Sequence, residues 1–375
     1  MKGGEDVLRQ LSPMESLSYY YFIKYPPRRD VDISTRSGIK LSTLVTARKK
    51  LTSKGLLKYS VFPFNFSEPR PYLFLLTVES ERTGDERKCG DVKVVQEGSV
   101  SLILSMSDGR STASFVYAAR YTDFFRFKHQ LLREIYPAGG AAEVKEHCLL
   151  REGLVALNLF DHSRRVAREL LSEISPARLR ERLREEEAAL GDNELIILPD
   201  VTSAHLRKEE MAILNALFRD PTMNYVELSR ATGINRQRAA RIKKRLDEEV
   251  YYRPYVDPFS TLRESELVVI HAMEHYGEVD GGAVASLYKE RRNEFREYNV
   301  LFLHSGDTSV MIEIYPTYRE FRKRSSDLEE LMGDKPFHLT SHHTLVMTPG
   351  ESFEARVPSS FPSRERSSEA PHSRR

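Results

Sequence analysis

Tryptophan is absent from the 375-residue chain, and cysteine occurs only twice, as Cys89 and Cys148. Two cysteines cannot build a disulfide framework or a cysteine-ligated zinc site, and such a count fits a reducing compartment. No apolar run approaches the roughly 20 residues that a membrane span needs. Residues Met1 to Gln10 are polar and lack the apolar stretch of a secretory signal. The formal net charge is only +2, so no overall field draws the molecule onto nucleic acid. A DNA-binding surface has to come from local segregation of charge. A phosphate-binding glycine loop, a nucleophile elbow and a clear pair of catalytic carboxylates are also missing from the sequence. What is present is the ordinary mix of a globular protein, 40% hydrophobic and 30% charged. The length suits two to four domains, and the expected location is the cytoplasm.

The chain repeats itself. Pro26 matches Pro221, Gly38 matches Gly233, Ile39 matches Ile234 and Leu51 matches Leu246, each pair 195 residues apart. Val61 with Val256 and Pro63 with Pro258 keep the same offset. Chemical classes track in the same frame, as in Arg48-Lys49-Lys50 against Lys243-Lys244-Arg245 and Ile33 against Leu228. Such register across several elements marks an internal duplication.

Each copy opens with a winged helix-turn-helix pattern. In the second copy Met211, Ile213, Leu214, Leu217 and Phe218 form a helical stripe that stops at Asp220-Pro221. Tyr225 to Ala231 predicts a short second helix closed by Gly233, a residue that tolerates a left-handed C-cap. Asn235 is a good N-cap for a third helix, Arg236 to Glu248, and Tyr251 to Val256 would be the wing. The first copy reads alike, with helices at Leu17 to Lys24 and about Leu41 to Lys54. A third helix of this kind enters the major groove by its N-terminal half. Arginine can read guanine there and glutamine adenine, while other basic residues meet phosphates. Base readout is accordingly assigned to Arg236, Gln237 and Arg238, and to Ser42, Thr43 and Thr46 in the first copy. Arg241 is counted with the DNA-binding residues of the same helix. Lys243, Lys244, Arg245, Arg48, Lys49 and Lys50 are assigned to the DNA backbone.

After the second wing the order is strand Leu267 to Glu274, helix Gly281 to Asn293, strand Tyr298 to His304, strand Thr308 to Tyr315, helix Tyr318 to Met332 and strand Phe337 to Met347. That is βαββαβ, the ferredoxin-like plan. The first copy supplies Tyr72 to Glu79, Val100 to Met106, Thr112 to Ala119, helix Thr122 to Ile135 and Glu143 to Leu150. Its first sandwich helix is degraded, because Glu81 to Gly98 carries no helical stripe. The fold class is therefore α+β, with two winged helix-turn-helix domains (12–66 and 207–260), each followed by a ferredoxin-like domain (70–157, degenerate, and 265–349). A charged, exposed helical linker (161–206) joins the copies, and a disordered tail (356–375) ends the chain.

The stretch MAILNALFRDPTMNYVELSRATGINRQRAARIKKRLDEE, followed by this sandwich, resembles the Lrp/AsnC family of prokaryotic transcription regulators. The resemblance implies two units packed through their sandwiches as a fused pseudo-dimer, each head reading a half-site. It implies an archaeal, cytoplasmic, sequence-specific regulator that binds double-stranded DNA, with further homodimerisation through the ferredoxin-like domains. The family's glycine-containing effector loop has no counterpart here, since Gly281-Gly282 falls at a helix start, so the effector is left open. No catalytic residue, cofactor or metal is assigned, and the chain is read as a non-enzyme.

Histidines gather in the second sandwich at positions His271, His275, His304, His338, His342 and His343. His271 and His275 share one face of a strand, and His342 or His343 lies on the neighbouring last strand. A related branch of the architecture comprises sirohaem decarboxylases, so a tetrapyrrole enzyme is one alternative. A protein-interaction module whose winged heads do not bind DNA is the other.

Overall fold

A computed structural model describes residues 11–64, 71–80, 100–135, 142–173, 177–198, 206–262, 266–333, 335–350 and 353–356. The chain runs α1 (Pro13–Lys24), α2 (Asp30–Ser37), α3 (Leu41–Ser53), β1 (Tyr59–Pro63), β2 (Tyr72–Ser80), β3 (Val100–Ser107), β4 (Ser111–Ala118), α4 (Tyr121–Ile135), β5 (Ala142–Leu150) and β6 (Val155–Leu157). It continues with α5 (Ser163–Glu173), α6 (Ala177–Ala188), β7 (Leu195–Ile197), α7 (Lys208–Arg219), α8 (Tyr225–Thr232), α9 (Arg236–Glu248), β8 (Tyr252–Val256) and β9 (Leu267–His275). Then follow α10 (Gly281–Glu290), α11 (Arg292–Arg296), β10 (Asn299–Ser305), β11 (Thr308–Tyr315), α12 (Tyr318–Gly333), β12 (Leu339–Met347) and β13 (Glu354–Arg356). The fold is α+β, as the sequence led one to expect. Among the described residues no helix is long and apolar enough to cross a membrane.

Two antiparallel sheets form the body. One has the order β13-β3-β4-β2-β5 and the other β12-β9-β11-β10-β6-β7. Stripped of their added edge strands, both have the fourth-first-third-second order of a ferredoxin-like sheet. The additions are reciprocal. The strand that follows β5 extends the second sheet beside β10, and the strand that follows β12 extends the first beside β3. Arg356, expected to begin a disordered tail, thus belongs to a strand, and the tail beyond it lies outside the described residues. So does the loop expected over Glu81 to Gly98.

The sheets stack face to face. Leu73, Leu75, Phe115 and Leu149 of the first share one core with Val268, Ile270, Ile312 and Leu345 of the second. Helices cover the outer faces. Phe124, Phe127 and Leu131 of α4 lie on Phe74 and Val116, and Phe74 stacks on Phe124 at 3.8 Å. Tyr288, Phe295 and Leu328 cover Met273, Phe302 and Met311 of the second sheet. Coverage on both sides is why β4 and β11 are buried at every position.

The heads consist of α1–α3 with β1 and α7–α9 with β8. Their wings do not project freely: β1 pairs with β8, Tyr59 opposite Val256, Ser60 opposite Tyr255 and Val61 opposite Pro254. Since residue 60 pairs with residue 255, 195 positions on, the register is symmetric about the offset of the sequence repeat.

The linker departs from expectation. It is not a solvated strut. Ser163, Val166 and Ala167 of α5 are buried, and Val166, Ala167 and Leu183 of α6 join the core of the first head. Beneath them lies a buried ionic network. The Arg296 side chain, 1% exposed, lies 3.5 Å from Glu187 and 3.1 Å from Glu194. Arg292 donates to Glu194 (2.7 Å) and to the carbonyls of Glu187, Ala188 and Ala189 at the end of α6 (2.8, 2.9 and 2.7 Å). From the head side, Tyr20 donates to Glu187 at 2.7 Å and Lys24 to the Glu186 carbonyl. Burial pushes the Lys24 ammonium below its ordinary pKa.

Candidate nucleic-acid interface

The second head has well-formed turns. Asn224 caps α8 by accepting from the amides of Val226 (2.8 Å) and Glu227 (3.1 Å), and Glu227 accepts in return from the Asn224 amide (2.8 Å). Gly233 ends α8 with φ 71°, a left-handed conformation that costs glycine little. Asn235 then caps α9, its side chain accepting from the Gln237 amide at 2.9 Å. Ala239, Ile242 and Leu246 turn inward and are buried. At 100° per residue the line opposite them runs through Gln237, Arg241 and Lys244. All three are exposed, as is Arg236 in the first turn.

Two assignments need correction. Lys243 does not face outward. It is half-buried, its ammonium donates to the Met223 carbonyl at 3.4 Å, and burial holds its pKa below the ordinary lysine value. Arg48 at the equivalent position of the first head is likewise internal. It donates to Asp30 (2.6 and 2.8 Å) and Tyr59 (2.8 Å), reaches the Arg28 carbonyl at 3.5 Å, and lies 4.2 Å over the Phe22 ring. Both cations are structural, since their position on the third helix looks back toward the turn before the second.

Arg238 and Arg245 lie on the flank of α9 that faces α7. Arg238 pairs with Glu209, and Arg245 with Glu210 at 2.8 Å. Lys244 pairs loosely with Glu248 at 3.6 Å on the exposed surface. A groove of about 310 Å³ between the two helices has these four paired flank residues and Arg241 in its lining. The acidic partners were missed at the sequence level. Their only signal is a Glu-Glu pair in a first helical turn, which reads equally well as helix-dipole compensation.

In the first head the same outer line holds Ser42, Thr46 and Lys49, all exposed. Thr43 is half-buried, and Lys50 pairs with Glu15. Where α9 has Arg236 and Ala240, α3 has Leu41 and Val45, 42% and 37% exposed. Lys40 stands at the N-cap and makes no side-chain cap bond.

The histidines fall into three groups. His271, fully buried, has Nδ1 2.9 Å from His342 Nε2 and Nε2 3.2 Å from Glu313. His275 Nε2 and His304 Nδ1 each lie 2.8 Å from the Ser309 hydroxyl. Burial lowers His275 and His342 to about 4, so both are neutral near pH 7. The third group joins the two sheets and includes a residue the sequence did not single out. His147 of β5 stacks on His343 of β12, ring centroids 6.0 Å apart. His343 also lies 2.9 Å from Lys145 Nζ. Neither ring nitrogen of His147 has a hydrogen-bond partner among the described residues, and Glu274 stands 3.6 Å away. His338 is exposed and apart from all three groups. Among the described residues no three or more histidine, cysteine or carboxylate groups are placed to hold a metal ion.

No protein-family model matches the chain, and no curated protein matches it. Solved structures do. The sirohaem decarboxylase NirDL aligns over 89% of this chain and 91% of its own, with 12% identity and a TM-score of 0.44. Its complex with an iron-uroporphyrin III analogue gives 89%, 91%, 13% and 0.43. The Neisseria meningitidis transcriptional regulator NMB0573, solved with L-Met, aligns over 38% of this chain and 89% of its own, with 15% identity and a TM-score of 0.27. The likeness is one of mixed α+β fold, and at these values the matches assign no residue a role. They do correct one expectation. The chain was read as a non-enzyme, yet the matches that span nearly all of it are to an enzyme, so that exclusion is withdrawn.

Proposed function

We propose that the chain is a DNA-binding regulator built from two duplicated, fused Lrp/AsnC-like units, and that its second head carries the reading surface. The observation that carries this is the outer line of α9. Gln237, Arg241 and Lys244, with Arg236 at the helix start, stand exposed on a capped helix in a helix-turn-helix setting. Guanidinium and amide groups on such a line match base edges in the major groove. Arg236 and Gln237 keep the reading role expected of them. Arg241 and Lys244 join them on the outer line, while Lys243 and Arg48 leave the interface. Binding of the full chain to genomic duplex fragments at low salt, followed by mapping of bound sites, tests the reading. Arg241→Ala with Gln237→Ala should weaken the preferred site at least tenfold, about 1.4 kcal/mol or more. A wild-type chain that binds no duplex at low ionic strength would sink the idea, because phosphate attraction is strongest there.

A second activity in the sheet body is favoured by His147, stacked on His343, whose two buried imidazole nitrogens have no hydrogen-bond partner among the described residues and mark a place for a ligand. An iron tetrapyrrole is the ligand to try. An absorption band that appears on mixing and is lost in His147→Ala with His343→Ala supports this, and an unchanged spectrum refutes it.

A further inference from the structure

Pairing between the first and third helices differs between the heads in a way that separates scaffold from function. Glu210–Arg245 in the second head has a counterpart 195 residues earlier, Glu15–Lys50. Glu210 also accepts from the Arg207 amide at 2.8 Å, as Glu15 accepts from the Ser12 amide at 2.9 Å. This strap occurs with and without a basic reading face, so it belongs to the scaffold. Glu209–Arg238 has no such counterpart: the corresponding residues are Met14 and Thr43. A carboxylate of the first helix thus contacts an arginine in the first turn of the third helix only in the head whose outer line is basic. The pair is also accessible, with side chains 40% and 53% exposed, at the mouth of the groove between α7 and α9.

We propose that Glu209 is a built-in competitor for DNA phosphate, holding Arg238 on the flank of α9 so that the second head binds nonspecific duplex weakly. The inference rests on the DNA-binding reading above. A phosphate passing α9 can gain Arg238 only by displacing the carboxylate, and it meets the repulsion of Glu209 as it does so. Such a penalty falls on every sequence alike. A site read by Gln237 and Arg241 through base contacts loses the same factor, so the clamp sets the absolute affinity for duplex and leaves the ratio of specific to nonspecific binding unchanged.

The test is fluorescence anisotropy of a random-sequence duplex with the full chain across a salt series. It compares wild type, Glu209→Gln, Arg238→Ala and the double variant. Glu209→Gln should bind about 3- to 10-fold tighter. Its log-affinity against log-salt slope should steepen by about 0.9, the signature of one added phosphate contact. Arg238→Ala removes a cation and leaves Glu209 unpaired, so it should bind no tighter than wild type, and in that background Glu209→Gln should gain less affinity than it does in the wild-type chain and should add no slope. Equal or weaker binding by Glu209→Gln overturns the clamp, as does an equal gain with and without Arg238, which would mean bulk charge alone. Glu210→Gln serves as the control for loss of the shared strap, and it should lower the melting temperature without steepening the slope. If wild type and all variants fail to bind duplex at low salt, the DNA-binding reading itself falls. If wild type binds and Glu209→Gln does not differ, only the clamp does.

Discussion

The third helices of the two heads are each thirteen residues long and bury three residues at matching positions, Leu44, Ala47 and Leu51 against Ala239, Ile242 and Leu246. Each begins shortly after a left-handed glycine, Gly38 or Gly233. Each keeps an internal cation at the same place, Arg48 or Lys243. Their outer faces diverge. α9 is capped by Asn235 and lined by Gln237, Arg241 and Lys244. α3 has Lys40 at its cap and Leu41, Ser42, Val45 and Thr46 outside. A common inner face with a changed outer one means that folding constrains the first and function the second. The heads are also held differently. The second shares the apolar core of the sheet body through its helices, at Leu217 and Leu246, whereas the first reaches that core only through its wing strand, at Val61 and Phe62, while its helices pack on Val166, Ala167 and Leu183 and are tied to α6 and α11 by buried charge.

The largest effect expected from this difference lies in that ionic tie. Arg296→Ala leaves Glu187 and Glu194 buried without their shared partner, and should cost about 3–5 kcal/mol of stability in urea unfolding. Amide exchange should show α1 and α6 opening before α7 to α9. A loss under 1 kcal/mol, or equal opening of both heads, would show that charge does not hold the first head.

Next comes acidity. His162 is fully buried between the Tyr19 hydroxyl (3.2 Å) and the Phe160 carbonyl (3.1 Å), with Arg165 nearby. Burial lowers its pKa to about 3 from an ordinary 6.5. The unfolded chain therefore takes up the proton first as pH falls. The stability due to neutral His162 is complete above about pH 6.5 and is lost toward pH 3, with a slope of at most roughly 1.4 kcal/mol per pH unit. His275 and His342 add a similar loss within the second sheet. Unfolding of the first head should steepen between pH 6.5 and 4, and His162→Gln should flatten that arm. A first head that opens independently of pH over this range contradicts the assignment.

Much of the fold was legible because its signals are local. The glycine caps, the 3.6-residue stripe of α7 and the apolar strands come from neighbours in sequence, and most element bounds fell within two residues. Longer-range packing was not legible. The run from Ser163 to Leu190 looks like a solvated helix because its Arg and Glu residues alternate at helical spacing. Its burial depends on Arg292 and Arg296, more than 100 positions away. The site was half legible for the same reason. Helical spacing puts Gln237 and Arg241 outside, but only the packed turn shows that Lys243 folds back onto Met223. Only the helix crossing shows that Glu209 reaches Arg238. His147 escaped notice because it meets His343 across two sheets.

On the proposed DNA-binding reading, the smallest effect tests whether the outer face alone separates the first head from the second. Ser42→Gln with Thr46→Arg gives α3 the glutamine and arginine of α9 at matching positions, both exposed and remote from its core. Paired wings and the buried tie to α6 fix the orientation of this head, and Leu41 and Val45 still flank the new residues. One added arginine can then gain at most a phosphate contact, about threefold in affinity for random duplex at low salt. Preference for the mapped site should stay unchanged. A gain of tenfold or more, with a new half-site preference, would mean that the first head is held in a reading position and that the two heads differ only in the residues on that line.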